Sequence, residues 1–233
     1  MIWAIVPAAG SGSRLGGALR KQYRDLAGRP MIVHTLARLL AHPQVAGTVV
    51  ALAADDEQWP RLRLEFAKPV RTCVGGDDRA ASVRGALQVL ANDVGDDDIV
   101  LVHDAARPCL HASDLDRLVA AAQADAAGAL LAAPVRDTLK RADAHGGVAA
   151  TVPRELLWRA LTPQAFRRGL LRDALAQAAR DGIAVTDEAM AVERLGLHPR
   201  LVQGREDNIK VTVAEDLALA AYILSAQQRE EIA

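Results

Sequence analysis

A short apolar run followed at once by a glycine-rich loop is the feature that most constrains this chain. Residues 2–6 predict a buried strand, and they lead into Pro-Ala-Ala-Gly-Ser-Gly-Ser-Arg-Leu-Gly at residues 7–16. Glycine lacks the Cβ that would keep backbone N–H groups away from phosphate oxygens. Arg14 and Lys21 add two cations around the loop, which a plain flexible turn would not need. The segment is therefore typical of an α/β protein that binds a polyphosphate.

The spacing within the loop separates it from two common nucleotide-binding motifs. A Walker A loop ends in Gly-Lys followed by Ser or Thr, whereas Gly17 here precedes Ala18 and Leu19. A dinucleotide-binding fingerprint needs a third glycine where this chain has Leu15, and an acidic residue at the end of the second strand. The pattern Ala-Ala-Gly-x-Gly-x-Arg with a later Lys instead resembles the nucleotidyltransferases that join a sugar phosphate to a nucleotide.

Apolar runs alternate with helical periodicity along most of the chain, which predicts an α/β fold with a Rossmann-like, mostly parallel sheet and helices on both faces. Further strands are expected at residues 47–53, 70–74, 99–103 and 129–135. Helices are expected at 31–40, 80–90 and 115–126, from Thr162-Pro163 onward, and from Thr212 onward. Ligands of such sheets bind at the carboxyl ends of the strands. This rule brings the first loop, residues 75–77 and Asp104 to one edge.

The segment 136–152 interrupts this alternation. Two short runs flank Gly146-Gly147, which predicts a β-hairpin. An isolated two-stranded hairpin is marginally stable in water, so we expect it to pack on another surface, and a second subunit is one candidate. The chain as a whole is expected to form a single domain over residues 1–233, with a β-arm for dimerisation at about 136–158.

Composition and charge exclude several partners. A 51% hydrophobic content is enough for a full α/β core. A net charge of −1 and an aromatic content of 3% argue against a nucleic-acid-binding protein. The longest apolar run, residues 126–133, is too short to cross a bilayer. Cys73 and Cys109 are expected to be reduced packing residues, which favours a cytoplasmic protein.

Four other groups are candidates for contact with a bound phosphate or nucleoside. Asp104 follows a buried strand, the place where α/β enzymes hold Mg²⁺ against substrate phosphates. Arg107, on the same loop, offers a forked donor for a phosphate. The turn at residues 75–82 is suited to present backbone amides and Ser82 to a base or ribose. Lys210 ends another short extended run.

Together these segments resemble the 2-C-methyl-D-erythritol 4-phosphate cytidylyltransferase family of the non-mevalonate isoprenoid pathway. The resemblance covers nearly the whole chain, through residues 7–23, 75–82, 102–108, 133–138, 161–164, 186–189 and 204–212. The last of these contains Asp-Asn-Ile-Lys-Val-Thr and is the most specific in combination with the first loop. One departure is visible, because Arg20 stands where the family commonly has Pro before the loop lysine.

The resemblance implies transfer of a cytidylyl group from CTP to methylerythritol phosphate, with Mg²⁺ as cofactor. It also implies a homodimer in which the hairpin of each subunit packs against the partner. The residues that it implies for CTP binding are Ala8, Ala9, Gly10, Gly12, Gly76, Asp77, Arg79 and Ser82. It implies three catalytic cations, Arg14, Lys21 and Lys210, and a metal ligand, Asp104. Methylerythritol phosphate would be held by Arg107, Thr138 and Lys210, with Arg154 and Thr162 from the neighbouring subunit.

The chemistry that this implies needs no general base, because the acceptor phosphate is already an anionic nucleophile. Positioning and cationic stabilisation of the leaving pyrophosphate would carry the catalysis. Two alternatives stay open at this point. One is cytidylyl transfer to another polyol phosphate, such as ribitol 5-phosphate. The other is a nucleotide-binding module without turnover.

Overall fold

A computed structural model describes residues 1–10 and 19–232 of the chain. The strands in chain order are β1 (Ile2–Ala8), β2 (Asp25–Leu26), β3 (Arg29–Pro30), β4 (Val45–Leu52), β5 (Val70–Val74), β6 (Ile99–Val102), β7 (Ala129–Pro134), β8 (Leu139–Ala142), β9 (Val148–Val152), β10 (Trp158–Arg167) and β11 (Arg200–Gln203). The α-helices are α1 (Met31–Ala41), α2 (Arg79–Val89), α3 (Ala112–Ala124), α4 (Arg168–Arg180), α5 (Glu188–Glu193) and α6 (Ala214–Ile232).

Seven strands form one central sheet in the order β11-β7-β10-β6-β1-β4-β5. All neighbouring pairs are parallel except those of β10, which runs antiparallel to both β6 and β7. The expected mostly parallel sheet is confirmed. Two small two-stranded sheets, β2-β3 and β8-β9, lie outside it.

Alternation along β1 explains why this strand is apolar throughout. Ala4 and Val6 pack into one buried cluster with residues of α1 and α3. Trp3 and Ile5 point to the other face and pack into a second cluster with α2, α4 and α5. A strand covered on both faces needs apolar residues at every position. The expectation of helices on both faces is therefore confirmed.

The helix expected to begin at Thr162-Pro163 is wrong, because both residues lie in β10 and α4 begins at Arg168. Proline cannot donate a ladder hydrogen bond, and in sheets it is confined to edges and irregularities. The β10–β7 register shifts between Ala160 and Gln164, so Pro163 lies in such an irregularity. On α4, the residues Leu171, Ala174, Leu175 and Ala178 form a buried stripe.

The hairpin is present where the Gly-Gly turn predicts it, with β8 antiparallel to β9. Its side chains are almost all exposed, and every residue from 141 to 151 is exposed. The hairpin thus has no core of its own within the described part of the chain. Among the described residues there is also no helix that is long and apolar enough to cross a membrane.

Candidate active site

A pocket of about 250 Å³ opens at the carboxyl ends of β1 and β6, beside the first turn of α2. Ten expected site residues line it: Ala8, Ala9, Gly10, Lys21, Gly76, Asp77, Arg79, Ser82, Asp104 and Lys210. Gly12 and Arg14 lie outside the described residues. The sheet topology therefore brings together the residues that the sequence places on separate loops.

Close packing at residues 75 and 76 explains the Gly-Gly sequence before α2. A Cβ on Gly75 would lie 2.5 Å from the Cβ of Ala9, and one on Gly76 would lie 2.4 Å from the Cβ of Ala81. The turn then continues into α2, where the Asp78 carboxylate accepts a hydrogen bond from the Ala81 amide at 2.6 Å. The α2 turn thus approaches the start of the first loop closely at Gly75 and is tightly folded at Gly76, so glycine is required at both positions.

Two side chains tie the segment after the first loop back to the end of β1. The buried Gln22 amide donates to the Ala8 carbonyl at 2.7 Å. Arg20 donates to the Ala9 carbonyl at 3.3 Å and pairs with Asp55 at 2.6 Å. The arginine that departs from the family pattern thus has a structural role, anchoring the chain next to Lys21.

The Asp104 carboxylate is the centre of the site's charges and is 8% exposed. Its Oδ1 lies 3.1 Å from Nε of Arg79, and its Oδ2 lies 2.9 Å from Nζ of Lys210 and 3.5 Å from Nε of Arg107. Burial alone would raise the pKa of Asp104, but Arg79 and Lys210 outweigh it and hold the pKa well below its usual range. The carboxylate is therefore ionised, with three cations around it.

Glu188 belongs to this charge cluster although the sequence analysis assigned it no role. Its carboxylate is 1% exposed and accepts from Nη1 of Arg79 at 2.6 Å. Burial raises the pKa of Glu188, and the charge of Arg79 opposes that rise. A signal was available, since Glu188 lies in the Thr-Asp-Glu-Ala segment at residues 186–189, which carries part of the family resemblance.

A buried hydrogen-bond network fixes the loop that carries Asp104. The Thr162 hydroxyl accepts from the Asp104 amide at 3.1 Å and lies 2.9 Å from Nδ1 of His103. Asn208 donates to the Thr162 carbonyl at 2.8 Å, and its own carbonyl accepts from Arg107 at 2.7 Å. The loop of Asp104, strand β10 and the segment before Lys210 are thereby locked together.

This position of Thr162 corrects the expectation that it reaches across from a neighbouring subunit. Thr162 is 5% exposed and its hydroxyl is engaged inside its own chain, on the central strand β10. Arg107 is also buried, with its guanidinium directed to Asn208 and Asp104. Both residues lie next to the pocket's charged centre but do not line the pocket.

Thr138 and Arg154 lie apart from this cluster. Both are exposed, at the two ends of the segment that carries the hairpin. Arg154 donates to the Arg136 carbonyl, and neither Thr138 nor Arg154 lines the pocket. Within the described residues of one chain, the structure does not bring these two residues to Asp104.

The residues present suit a cation that arrives with a polyphosphate. No group of three His, Cys, Asp or Glu side chains placed to hold a metal ion occurs in residues 1–10 and 19–232. Mg²⁺ in phosphate-transfer sites is commonly held by one or two carboxylates plus substrate phosphates and water. Asp104, ionised and at the pocket wall, fits that mode of binding.

Comparison with known proteins places the chain among related sequences over nearly its whole length. The family model for 2-C-methyl-D-erythritol 4-phosphate cytidylyltransferase matches residues 2–226. A protein of that name from Xanthomonas campestris pv. campestris is 59% identical over 228 residues, which is 98% of this chain and 86% of that one. Its counterpart from Xanthomonas oryzae pv. oryzae is 58% identical over 224 residues, 96% and 82% of the two chains.

Solved structures show the same similarity in three dimensions. A crystal structure of a 4-diphosphocytidyl-2C-methyl-D-erythritol synthase aligns with a TM-score of 0.83 at 38% identity, over 96% of this chain and 98% of that one. The cytidylyltransferase of Francisella tularensis aligns with a TM-score of 0.82 at 32% identity, over 95% and 99% of the two chains.

Proposed function

The chain belongs to the 2-C-methyl-D-erythritol 4-phosphate cytidylyltransferase family, and from that premise we propose that its pocket transfers a cytidylyl group from CTP to methylerythritol phosphate. The products are 4-diphosphocytidyl-2-C-methyl-D-erythritol and pyrophosphate, in the non-mevalonate isoprenoid pathway. The observation that best supports this assignment is the convergence of Lys21, Lys210 and Arg79 on one pocket around the ionised Asp104. A nucleotide-binding module without turnover would be expected to lack some of these cations or the carboxylate, whereas Lys21, Lys210 and Asp104 are all present.

The proposed reaction is a direct displacement at phosphorus. A phosphate oxygen of the acceptor forms a bond to the α-phosphorus of CTP. The bond between the α-phosphorus and the oxygen that links it to the β-phosphate breaks, and pyrophosphate leaves with the electron pair of that bond. Lys21 and Lys210, with Arg14 from the first loop, stabilise the charge on the leaving group. Such preorganised charge contacts act mainly in the transition state.

The remaining assignments divide between the two substrates. We assign the nucleotide to the loop residues Ala8, Ala9, Gly10 and Gly12 and to the α2 turn residues Gly76, Asp77, Arg79 and Ser82. We assign the acceptor to Arg107 and Thr138, with Thr162 as support for Asp104 from within the chain and Arg154 contributed by a partner in a C2 dimer. Bound Mg²⁺, held by Asp104, would withdraw charge from the phosphates. A cytoplasmic location stays a prediction.

A pyrophosphate-release assay tests the assignment. CTP, UTP, ATP and GTP are each paired with methylerythritol phosphate and with ribitol 5-phosphate. We expect turnover with CTP and methylerythritol phosphate, weaker use of UTP because its hydrogen-bonding edge is reversed, and still weaker use of the larger purines. Preference for ribitol 5-phosphate would identify a different acceptor, and absence of turnover with every pair would leave a binding module.

Metal dependence is tested with the same assay. EDTA should abolish turnover and Mg²⁺ should restore it. The variant Asp104→Asn should need much more Mg²⁺ for half of its maximal rate. Because Asp104 also pairs with three cations, the maximal rate of the Asp104→Asn variant should fall as well. Full activity in EDTA would contradict the metal assignment.

A further inference from the structure

The guanidinium of Arg79 is divided between two carboxylates on different elements. Its Nε donates to Asp104 at 3.1 Å, and its Nη1 donates to Glu188 at 2.6 Å. Its Nη2 is buried and has no hydrogen-bond partner among the described residues, while Arg79 itself lines the pocket. A buried unpaired donor is costly. Arg79 is therefore held beside the pocket by two carboxylates, with one buried nitrogen left unpaired.

Glu188 reaches Arg79 from a rigidly anchored helix. Gln164 on β10 uses both ends of its amide, donating to the Asp187 carboxylate at 2.9 Å and accepting from the Ala189 amide at 2.8 Å. These two bonds flank Glu188 and fix the start of α5 on the central sheet. Glu188 does not line the pocket. Its place in the site is behind Arg79, with no direct access to a ligand.

We propose that Glu188 is a positioning residue for nucleotide binding, which holds the guanidinium of Arg79 at the pocket so that Arg79 donates to an oxygen of bound CTP. This inference rests on the proposed function of the pocket. Without the Glu188 carboxylate, both nitrogens of one side of the guanidinium can pair with Asp104, the usual geometry between arginine and a carboxylate. That pairing withdraws a donor from the nucleotide and competes with Lys210 for Asp104. Dividing the guanidinium between two carboxylates prevents it.

The first test compares Glu188→Gln with Glu193→Gln in the full-length protein. Glu193 lies on the same helix and is exposed, which makes it a matched control. We expect Glu188→Gln to raise the KM for CTP by about tenfold or more, the usual effect of losing a hydrogen bond to a charged group. The KM for methylerythritol phosphate should stay within about twofold of the parent value. Calorimetric titration of CTP should show the same loss of affinity, and Glu193→Gln should match the parent in both measurements.

A second test asks whether Glu188 acts through Arg79. In an Arg79→Gln background, Glu188→Gln should change CTP affinity no further, because coupled residues are not additive. Glu188→Asp keeps the charge on a shorter side chain and should lie between the parent and Glu188→Gln. It also serves the test if Glu188→Gln does not fold.

Two results would overturn the inference: parental CTP affinity in Glu188→Gln, whether or not its Tm falls, or additive effects of the two substitutions. Failure of the proposed function has a different signature, because the unmodified protein would then neither bind CTP in the calorimeter nor release pyrophosphate.

Discussion

The charge cluster around Asp104 and the β8–β9 hairpin are built in opposite ways. Asp104 is nearly buried and contacts three cations, each from a different position on the chain. The hairpin is exposed along residues 141–151, and its side-chain contacts are largely local, such as Lys140 to Thr151 at 2.7 Å. One region is stabilised by the rest of the chain. Among the described residues, the hairpin is stabilised by its own ladder and by local side-chain contacts.

This difference divides the proposed site into two parts. One chain brings together the residues around Asp104, but it does not bring the residues at the base of the hairpin to them. The proposed nucleotide residues that the structure describes lie together, on the loops at the carboxyl ends of β1 and β6 and in the α2 turn. The proposed acceptor residues Thr138 and Arg154 stand at the base of the exposed hairpin and do not line the pocket of their own chain. A hairpin of two strands is rarely stable alone. The comparison therefore predicts large effects of substitution in the cluster and effects in the hairpin that depend on a partner.

The sharpest test of this comparison pairs two lysines. Lys210→Ala removes a cation from the pocket, and we expect kcat to fall by at least about 10²-fold, as for loss of one preorganised charge contact. Lys140→Ala removes a lysine from the exposed hairpin and should leave kcat within about threefold. Steady-state kinetics at saturating CTP measure both. Comparable rates for Lys210→Ala and the parent would remove Lys210 from the mechanism.

Two glycines with the same backbone conformation compare the packing of the core with the packing of the hairpin. Gly128 has φ +82° and Gly146 has φ +83°. A Cβ on Gly128 would lie 2.4 Å from Phe166 and 2.6 Å from the Ala165 carbonyl, whereas a Cβ on Gly146 would meet nothing within 4 Å. Gly146→Ala should cost about 1 kcal/mol from the left-handed conformation alone. Gly128→Ala should cost at least about 2 kcal/mol more, because overpacking adds to it.

Urea unfolding of both glycine variants measures this difference. The parent and the two variants should show similar m-values, so that the shift in midpoint reports stability. Equal costs at the two positions would mean that the hairpin is packed as tightly as the core, and the comparison between the regions would fail.

The sequence predicted the sheet and the pocket because their signals are local. A strand buried on both faces is apolar at every position, as β1 is, and the glycines before α2 mark a close approach. Strand β10 was missed because Thr162-Pro163 is also the pattern of a helix start. Only the register shift between Ala160 and Gln164 makes proline acceptable in that central strand.

The pairing of Glu188 with Arg79 could not be read from the sequence, since 109 residues separate them. Likewise, nothing local indicates that the Thr162 hydroxyl lies under the Asp104 amide. Both contacts depend on how β10 and α5 pack against the loop after β6. Sequence patterns report which residues can do chemistry, whereas these supporting contacts are products of the tertiary fold.

The buried network should also make stability depend on pH through His103. Burial lowers the pKa of His103 to about 4, against about 6.5 in an unfolded chain. The unfolded state therefore takes up a proton as the pH falls below 6.5, and the folded state does not. Stability from this group is complete above pH 6.5 and is lost toward pH 4, by up to about 1.4 kcal/mol per pH unit.

Urea unfolding at pH 7, 6 and 5 checks the effect of His103 by comparison of variants. His103→Asn should flatten the decline in unfolding free energy between pH 6.5 and 5. His145→Asn changes an exposed histidine in the hairpin turn and should keep the parental slope. A His103→Asn slope equal to that of the parent would show that another group controls the decline.

The smallest expected signal tests whether the hairpin region completes the site of a partner subunit. Lys21 lines the pocket of its own chain, and Arg154 is exposed at the base of the hairpin. Lys21→Ala and Arg154→Ala should each be nearly inactive. When equal amounts exchange subunits, half of the dimers combine one chain of each kind. Each such dimer has one site with both defects and one with neither, so about a quarter of parental activity should return.

A matched mixture makes this recovery specific. Lys21→Ala and Lys210→Ala both damage the pocket of their own chain, so every dimer formed from them has two damaged sites and should recover nothing. Exchange is verified in both mixtures with subunits carrying different tags. If the Lys21→Ala and Arg154→Ala mixture also stays inactive after exchange, Arg154 acts within its own chain. The exposure of the hairpin would then not be explained by a contribution of Arg154 to the active site of the partner subunit.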